Sequence, residues 1–497
     1  MSEQDRSPAP MENGDFFEHA PMERLRAYMM LCFVGYAIFL FAMGVRFDAS
    51  PLETFALYAD PELLRTRLVE TGFYLHVQPP LYNLAIGLVL KWFSGFHILA
   101  FYAIFIAIGL ALSLMLLTLM VRLGVSKKLS FTLTILFACS PSFVLYEHLL
   151  LYTLPCAALL VAAALLLHVF LSEKRGWAGW GFFVTLFLLG GFRPMYSLVY
   201  FMVIAAGLLI HLRPLRRRYL AMALLPGILL FSFYLKNYVL FGQFTTASGL
   251  GKELWIKTIG NLPWSERVKL AEEGKISTVS LIDRSWAIDF YPPEIRDISG
   301  YEHIPVLHEK NKSTGEVNYN HLSQIRISEH YRQDALYAIR HYPRTFLCST
   351  AWSALAFYSP APIGAPSLQW LNAIYDRAVY GKINVPLSKY IPWLGVSKQA
   401  PYLCLMIGWP ALFIYGAWRA RRFGIAERGV LLFLLFTIFQ VTASGILFGF
   451  MNAGHDRFEI DPFHFVLLAL FLQSVAMPWM KRMMQPVDIP EAPDEAK

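Results

Sequence analysis

The sequence predicts an all-α polytopic membrane protein. It should have about ten transmembrane helices, juxtamembrane helices on the outer face and a small α-rich extracytoplasmic domain. Three observations lead there. The 497-residue chain is 56% hydrophobic and only 16% charged, whereas soluble domains are about 45–50% apolar and about 25% charged. The two apolar sets differ by 32 Gly and 25 Tyr here, which shifts the share by only about 1%. Mean hydropathy of +0.45 excludes a disordered chain and a collagen-like one. Apolar runs of spanning length recur along the chain, separated by short basic loops.

A helix needs about 20 apolar residues to cross roughly 30 Å of hydrocarbon. Residues 27–46, 97–121, 129–147, 153–171, 178–192, 195–211, 219–240, 401–418, 429–450 and 462–480 meet or approach that length. Residues 1–26 precede them as a polar tail with no cleavable leader pattern. The run 79–93 is about 22 Å as a helix, too short to cross comfortably. Loop charge places it. If 79–93 does not span, the inside loops hold Arg24, Arg26, Arg122, Lys127, Lys128, Lys174, Arg175, Arg213, Arg216–Arg218, Arg419, Arg421, Arg422, Arg428, Lys481 and Arg482. The short outside loops then hold only Arg193 and Arg457. Positive charge stays inside, so 79–93 is expected along the outer face and both termini in the cytoplasm. This accounts for the net charge of +8 without a nucleic-acid partner.

The chain then divides into a transmembrane module, 27–240, with outer loop 47–96; an extracytoplasmic loop or domain, 241–400; C-terminal spans, 401–482; and an acidic, Pro-rich tail, 483–497, expected to be disordered. An amphipathic helix is expected around 320–341, followed by an interfacial segment at 345–358. Cys32, Cys139, Cys156, Cys348 and Cys404 lie far apart in apolar runs with no CxxC, which reads as buried thiols.

On this topology the notable polar residues share the outer side: Asp60, His76 and Gln78 in the first loop, Glu147 and His148 after the third span, Arg193 after the fifth, Lys236, Asn237 and Lys252 after the seventh, and His455, Asp456 and Arg457 before the last. Ionisable groups at membrane depth are costly and mark function. Each also has a plain reading: Asp60 as a helix N-terminal carboxylate before Pro61, Arg193 as a snorkelling anchor, and Lys252 as part of a Gly-flanked turn. In Tyr74–Tyr82, the pair Pro79-Pro80 bars a helix before it and suits the first turn of one after it. Such a helix aims its free amides outward, a ready anion site.

Four stretches together resemble the GT-C glycosyltransferases that use polyprenyl-phosphate sugars, the group of protein O-mannosyltransferases and aminoarabinose transferases. They are Tyr58-Ala-Asp-Pro-Glu62 with His76 to Tyr82; Tyr146-Glu-His-Leu-Leu-Leu-Tyr-Thr-Leu-Pro155; Lys236-Asn237 running to Leu254-Trp255; and Arg457-Phe458 followed by Asp461-Pro-Phe463. Glu147 stands where members often have Asp, Glu253 where many have Asn, and Lys236 where Arg is common. The resemblance covers roughly 27–480.

It implies an inverting transfer of a sugar from a polyprenyl-phosphate donor to a glycan, lipid or protein acceptor. The location implied is the extracytoplasmic face of a bacterial inner membrane. Asp60 or Glu147 would be the base that takes the acceptor proton. Alternatively, the pair would share a divalent metal, Mg2+ or Mn2+, as in some members. Arg193, Lys236, Lys252 and Arg457 would stabilise the leaving phosphate. His76, Gln78, Tyr82, His148 and Asn237 would orient donor or acceptor. The competing readings are a lipid-linked glycan polymerase or ligase, which needs no Pro-Pro helix, and a transporter, which should carry charges mid-span near broken helices.

Overall fold

The computed structural model describes residues 20–211, 216–358, 403–449 and 454–478. Most of the N-terminal tail, all of 359–402 and the whole 483–497 tail lie outside the described residues. The protein is helical, with no strand among those residues.

Helices form at each expected apolar run: α1 (Met22–Ala42), α4 (His97–Arg122), α5 (Lys127–Ala138), α6 (Pro141–Glu147), α7 (Thr153–Glu173), α8 (Gly176–Phe192), α9 (Leu198–His211), α10 (Arg216–Phe241), α14 (Leu403–Ala420), α15 (Ile425–Leu447) and α16 (Gly454–Phe471). Outside the apolar runs are α2 (Pro61–Thr66), α11 (Leu250–Lys257) and α12 (Ser323–His341). The short apolar stretches form α3 (Pro80–Trp92) and α13 (Pro343–Phe357). Among the described residues, six helices are long and apolar enough to cross a membrane: α1, α4, α7, α10, α15, and α16 with its extension to Ala476. α8 and α9 are shorter apolar helices. Leu31, Ile38, Val199, Leu224 and Phe439 point out of the protein. In a polytopic membrane protein, lipid covers such a surface.

Three boundaries differ from expectation. The expected span 129–147 is two helices, α5 and α6, meeting at 61°. Pro141 has no N–H to continue the ladder and pushes Ser140 to an extended conformation. Ser140 then caps α6 by accepting from the Phe143 amide at 3.3 Å. The first span begins and ends about a turn earlier than 27–46, with Arg46 closing its end by donating to the Phe41 carbonyl at 2.7 Å. The last helix starts at Gly454, not 462, so His455, Asp456 and Arg457 are its first turn and Pro462 lies inside it.

α7 is the most enclosed of the candidate spans and packs against α4, α8, α15 and α16. α3 packs on α2 and α8. A second apolar core, with Trp255, Ile259, Leu270, Tyr291, Ile327 and Tyr331, holds the 250–342 region together. There α11 crosses α12 so closely that a Cβ on Gly251 would lie 1.7 Å from the Ser328 carbonyl oxygen. That atom is backbone and cannot rotate away. Gly251→Ala is expected to destabilise the protein by about 1–3 kcal/mol or more, read as a lower melting temperature in detergent. An unchanged melting temperature would contradict this packing.

Candidate active site

The Pro-Pro segment behaves as its residues dictate. Pro79 is extended, Pro80 opens α3, and no side chain caps the first turn. Leu81 seats against Gly191 of α8, where a Cβ would meet it at 2.3 Å. Just upstream, His76 is buried. Its Nε2 faces the Asn320 carbonyl at 2.9 Å and its Nδ1 the Ser248 hydroxyl at 2.7 Å. A carbonyl only accepts, so Nε2 carries the proton and Nδ1 accepts from Ser248. Burial is the main force pushing His76 down to about 3; the Asn320 bond opposes it, and the charges of Lys236 and Lys252 add to it. His76 is therefore neutral and lies within the field of both lysines.

Those lysines are held from different elements. Lys236, near the end of α10, donates to the Leu75 carbonyl at 2.7 Å. Lys252, in α11, donates to Gln324 and lies 4.3 Å from the Tyr319 ring centre. Burial pushes Lys252 down to about 7. Next to Lys236, Asn237 donates to the Thr245 carbonyl at 2.6 Å, and its Oδ1 has no partner among the described residues.

Asp60 is the N-cap of α2, and Oδ1 accepts from the Glu62 amide at 2.8 Å. Ser313 bonds both oxygens, its hydroxyl to Oδ1 and its amide to Oδ2, each at 2.6 Å. Lys312 beside it donates to the Phe55 carbonyl at 2.9 Å, and burial pushes its amine down to about 8. The 310–316 loop is thus latched onto the segment that carries Phe55 and Asp60. Glu147 is fully buried at the end of α6. Its Oε2 accepts from Tyr36 at 3.1 Å, while Oε1 has no partner among the described residues and lies close enough to Gly109 to clash with a Cβ there. His148 donates through Nδ1 to the Val144 carbonyl at 2.9 Å, and Nε2 has no partner among the described residues. No group of three or more His, Cys, Asp or Glu among the described residues is arranged to hold a metal ion. Asp60 is bonded to Ser313, and Glu147 to Tyr36 through one oxygen only.

Arg193, expected as a phosphate ligand, is a buried ion-pair centre. One end of its guanidinium donates to Asp456 and the other to Glu459, both on α16. Tyr196 donates to Glu459, and the guanidinium carbon lies 4.8 Å from the Tyr152 ring centre. His455 reaches Asp456 through Nε2 at 2.9 Å. Arg457 donates to the Phe357 carbonyl at 3.1 Å and faces Asp461 at 3.6 Å. Sequence reasoning missed Glu459, Tyr196, Ser313, Asn320 and Gln324 as partners. The spacing of Asp456 and Glu459, one helical turn, was the available signal, hidden because the helix was expected to start at 462.

The four stretches meet. Tyr82 lies 5.7 Å from Tyr58, 5.8 Å from Tyr152 and 5.4 Å from Phe192, ring to ring. Tyr152 lies 6.5 Å from His455, and Tyr146 4.7 Å from Phe458. Tyr58 donates to the Leu150 carbonyl at 3.0 Å, and the Ser248 amide to the His76 carbonyl at 2.9 Å. Both amide atoms of Gln78 and the Asn83 Nδ2 are buried here without partners among the described residues. Buried polar groups left open in this way call for a ligand or water. No family model, no curated protein and no solved structure matches the chain.

Arg193→Met would leave two buried carboxylates without the cation they share, each with one remaining partner, His455 or Tyr196. Breaking such a pair from one side costs about 3–5 kcal/mol, so the variant is expected to melt well below wild type. Glu459→Gln, which keeps an acceptor for the guanidinium, should lose less. Equal melting of Arg193→Met and wild type would contradict the ion-pair role.

Proposed function

We propose that the protein is an inverting glycosyltransferase that moves a sugar from a polyprenyl-phosphate donor to a glycan, lipid or protein acceptor at the extracytoplasmic membrane face. The observation that carries this reading is the convergence of the four stretches named from the sequence. The Pro-Pro segment, the 146–155 segment, the 236–255 segment and the first turn of α16 touch one another around unpartnered buried amides.

Chemistry is divided across that floor. Lys236 and Lys252, with neutral His76 between their fields, form the cationic side for the departing lipid phosphate. The free first-turn amides of α3 add dipolar stabilisation. Gln78 and Asn83 offer neutral donors and acceptors, and Tyr82 and Tyr152 offer ring surface, which suits an uncharged, hydroxyl-bearing sugar. Arg193 acts through α16, and Asp60 through the 310–316 loop, as positioning residues. Glu147 holds Tyr36 at the end of the broken span. The reaction as proposed needs no metal.

In this reading the helices at the ten expected apolar runs cross the membrane, α5 and α6 counting as one span, and α3 lies along the outer face. The protein sits in a bacterial inner membrane with both termini in the cytoplasm. A reporter fused after Arg482 should then be cytoplasmic; an external reporter would sink this topology.

Phosphate recognition carries a pH signature. Lys252 titrates near 7 in the resting protein, so it is charged below that pH and loses its proton above it. Binding of undecaprenyl phosphate should weaken as pH rises from 6 to 9, and Lys252→Met should bind more weakly at pH 6 and show a flatter profile. The phosphate's own ionisation is common to both proteins, so the comparison isolates the lysine. Identical profiles would remove Lys252 from the phosphate site.

A further inference from the structure

We propose that His455, held by Asp456, is the general base of the transfer, a role that rests on the glycosyl-transfer reading above. The two carboxylates first expected to act as base are engaged elsewhere. Asp60 has both oxygens bonded to Ser313, and Glu147 is sealed behind Tyr36 and the α4 backbone at Gly109. His455 differs from both. Its side chain is 25% exposed, while Asp456 behind it is 5% exposed.

The tautomer follows from the contact. Asp456 is an acceptor, so the imidazole nitrogen facing it at 2.9 Å, Nε2, carries the proton. Nδ1 is left with a lone pair, and it has no hydrogen-bond partner among the described residues. Asp456 is itself fixed by the Arg193 guanidinium, so the imidazole is oriented from behind by a carboxylate that cannot swing away. A carboxylate in that position steadies the imidazolium that forms when Nδ1 takes a proton. Glu459 on the same helix interacts electrostatically with His455, and the Tyr152 ring centre lies 6.5 Å from His455 and 5.8 Å from Tyr82 of α3. The base therefore stands across one aromatic ring from the proposed sugar floor.

In the step, the acceptor hydroxyl oxygen attacks the anomeric carbon and forms the new glycosidic bond. The bond from that carbon to the phosphate oxygen breaks, and its electron pair leaves with the lipid phosphate. The hydroxyl proton passes to Nδ1 of His455. No oxidant or further reactant is needed.

The test uses the full chain in nanodiscs with radiolabelled undecaprenyl-phosphate hexoses and pentoses, and with water and total envelope lipid as acceptors. His455→Gln, which keeps an N–H for Asp456, should melt like wild type, and both it and His455→Ala should lose about 100-fold or more in turnover, the scale of general-base catalysis. Added imidazole should partly restore His455→Ala. His455→Gln should lack the acid limb of the wild-type kcat/KM profile. Turnover of His455→Ala within threefold of wild type would overturn the base role and leave the transfer reading standing. Loss without imidazole rescue and with the acid limb intact would also overturn it, since that marks a structural role. An inactive wild type across all donors and acceptors would overturn the transfer reading and this proposal together.

Discussion

The guanidinium of Arg193, shared between Asp456 and Glu459, fixes how the two halves of the membrane module meet. Arg193 follows α8 directly in an extended conformation, and its two partners are one turn apart on α16. In a low-dielectric interior neither side can be left alone. An unpaired buried charge costs several kcal/mol, and lipid offers no water to rescue it. One cation faces two carboxylates, and the remaining demand is met by the Tyr196 hydroxyl and His455. The first turn of α16 is thereby pinned against α7 and α8. The same turn carries Arg457, which reaches the end of α13.

From that anchor the 250–342 region is tied down by hydrogen bonds spaced far apart in sequence. Lys257 in α11 donates to Ser353 of α13 at 2.8 Å and to the Ile446 carbonyl of α15 at 2.6 Å. Ser313 latches Asp60, and His76 joins Ser248 to Asn320. Lys236 and Lys252 are both held near enough to act on His76. In the proposed chemistry these cations serve the charged leaving group, and Gln78 and Asn83 the uncharged sugar.

Much of the fold was legible because lipid imposes length and composition on each helix. The runs at 97–121 and 153–171 could be little else, and Pro79-Pro80 announced the start of α3. The break at Ser140-Pro141 was also written in the sequence, but apolar length outweighed it. The start of α16 was misplaced for a physical reason. Asp456, Arg457, Glu459 and Asp461 read as solvated loop charges when taken one by one, and become helix residues only once Arg193 neutralises two of them. The proposed site was legible as a set of residue types in four stretches of sequence. Its partners were not. Ser313 pairs with Asp60, and Asn320 with His76, across more than two hundred residues, and no local pattern encodes such contacts.

The central claim is that the four stretches build one site for a polyprenyl-phosphate sugar. A cryo-EM structure of the protein in nanodiscs with undecaprenyl phosphate tests it most directly. The account requires the phosphate within hydrogen-bond reach of Lys236 or Lys252, beside the first turn of α3. A phosphate held instead among the basic residues at the opposite helix ends, around Arg122, Arg175 and Arg218, would contradict it.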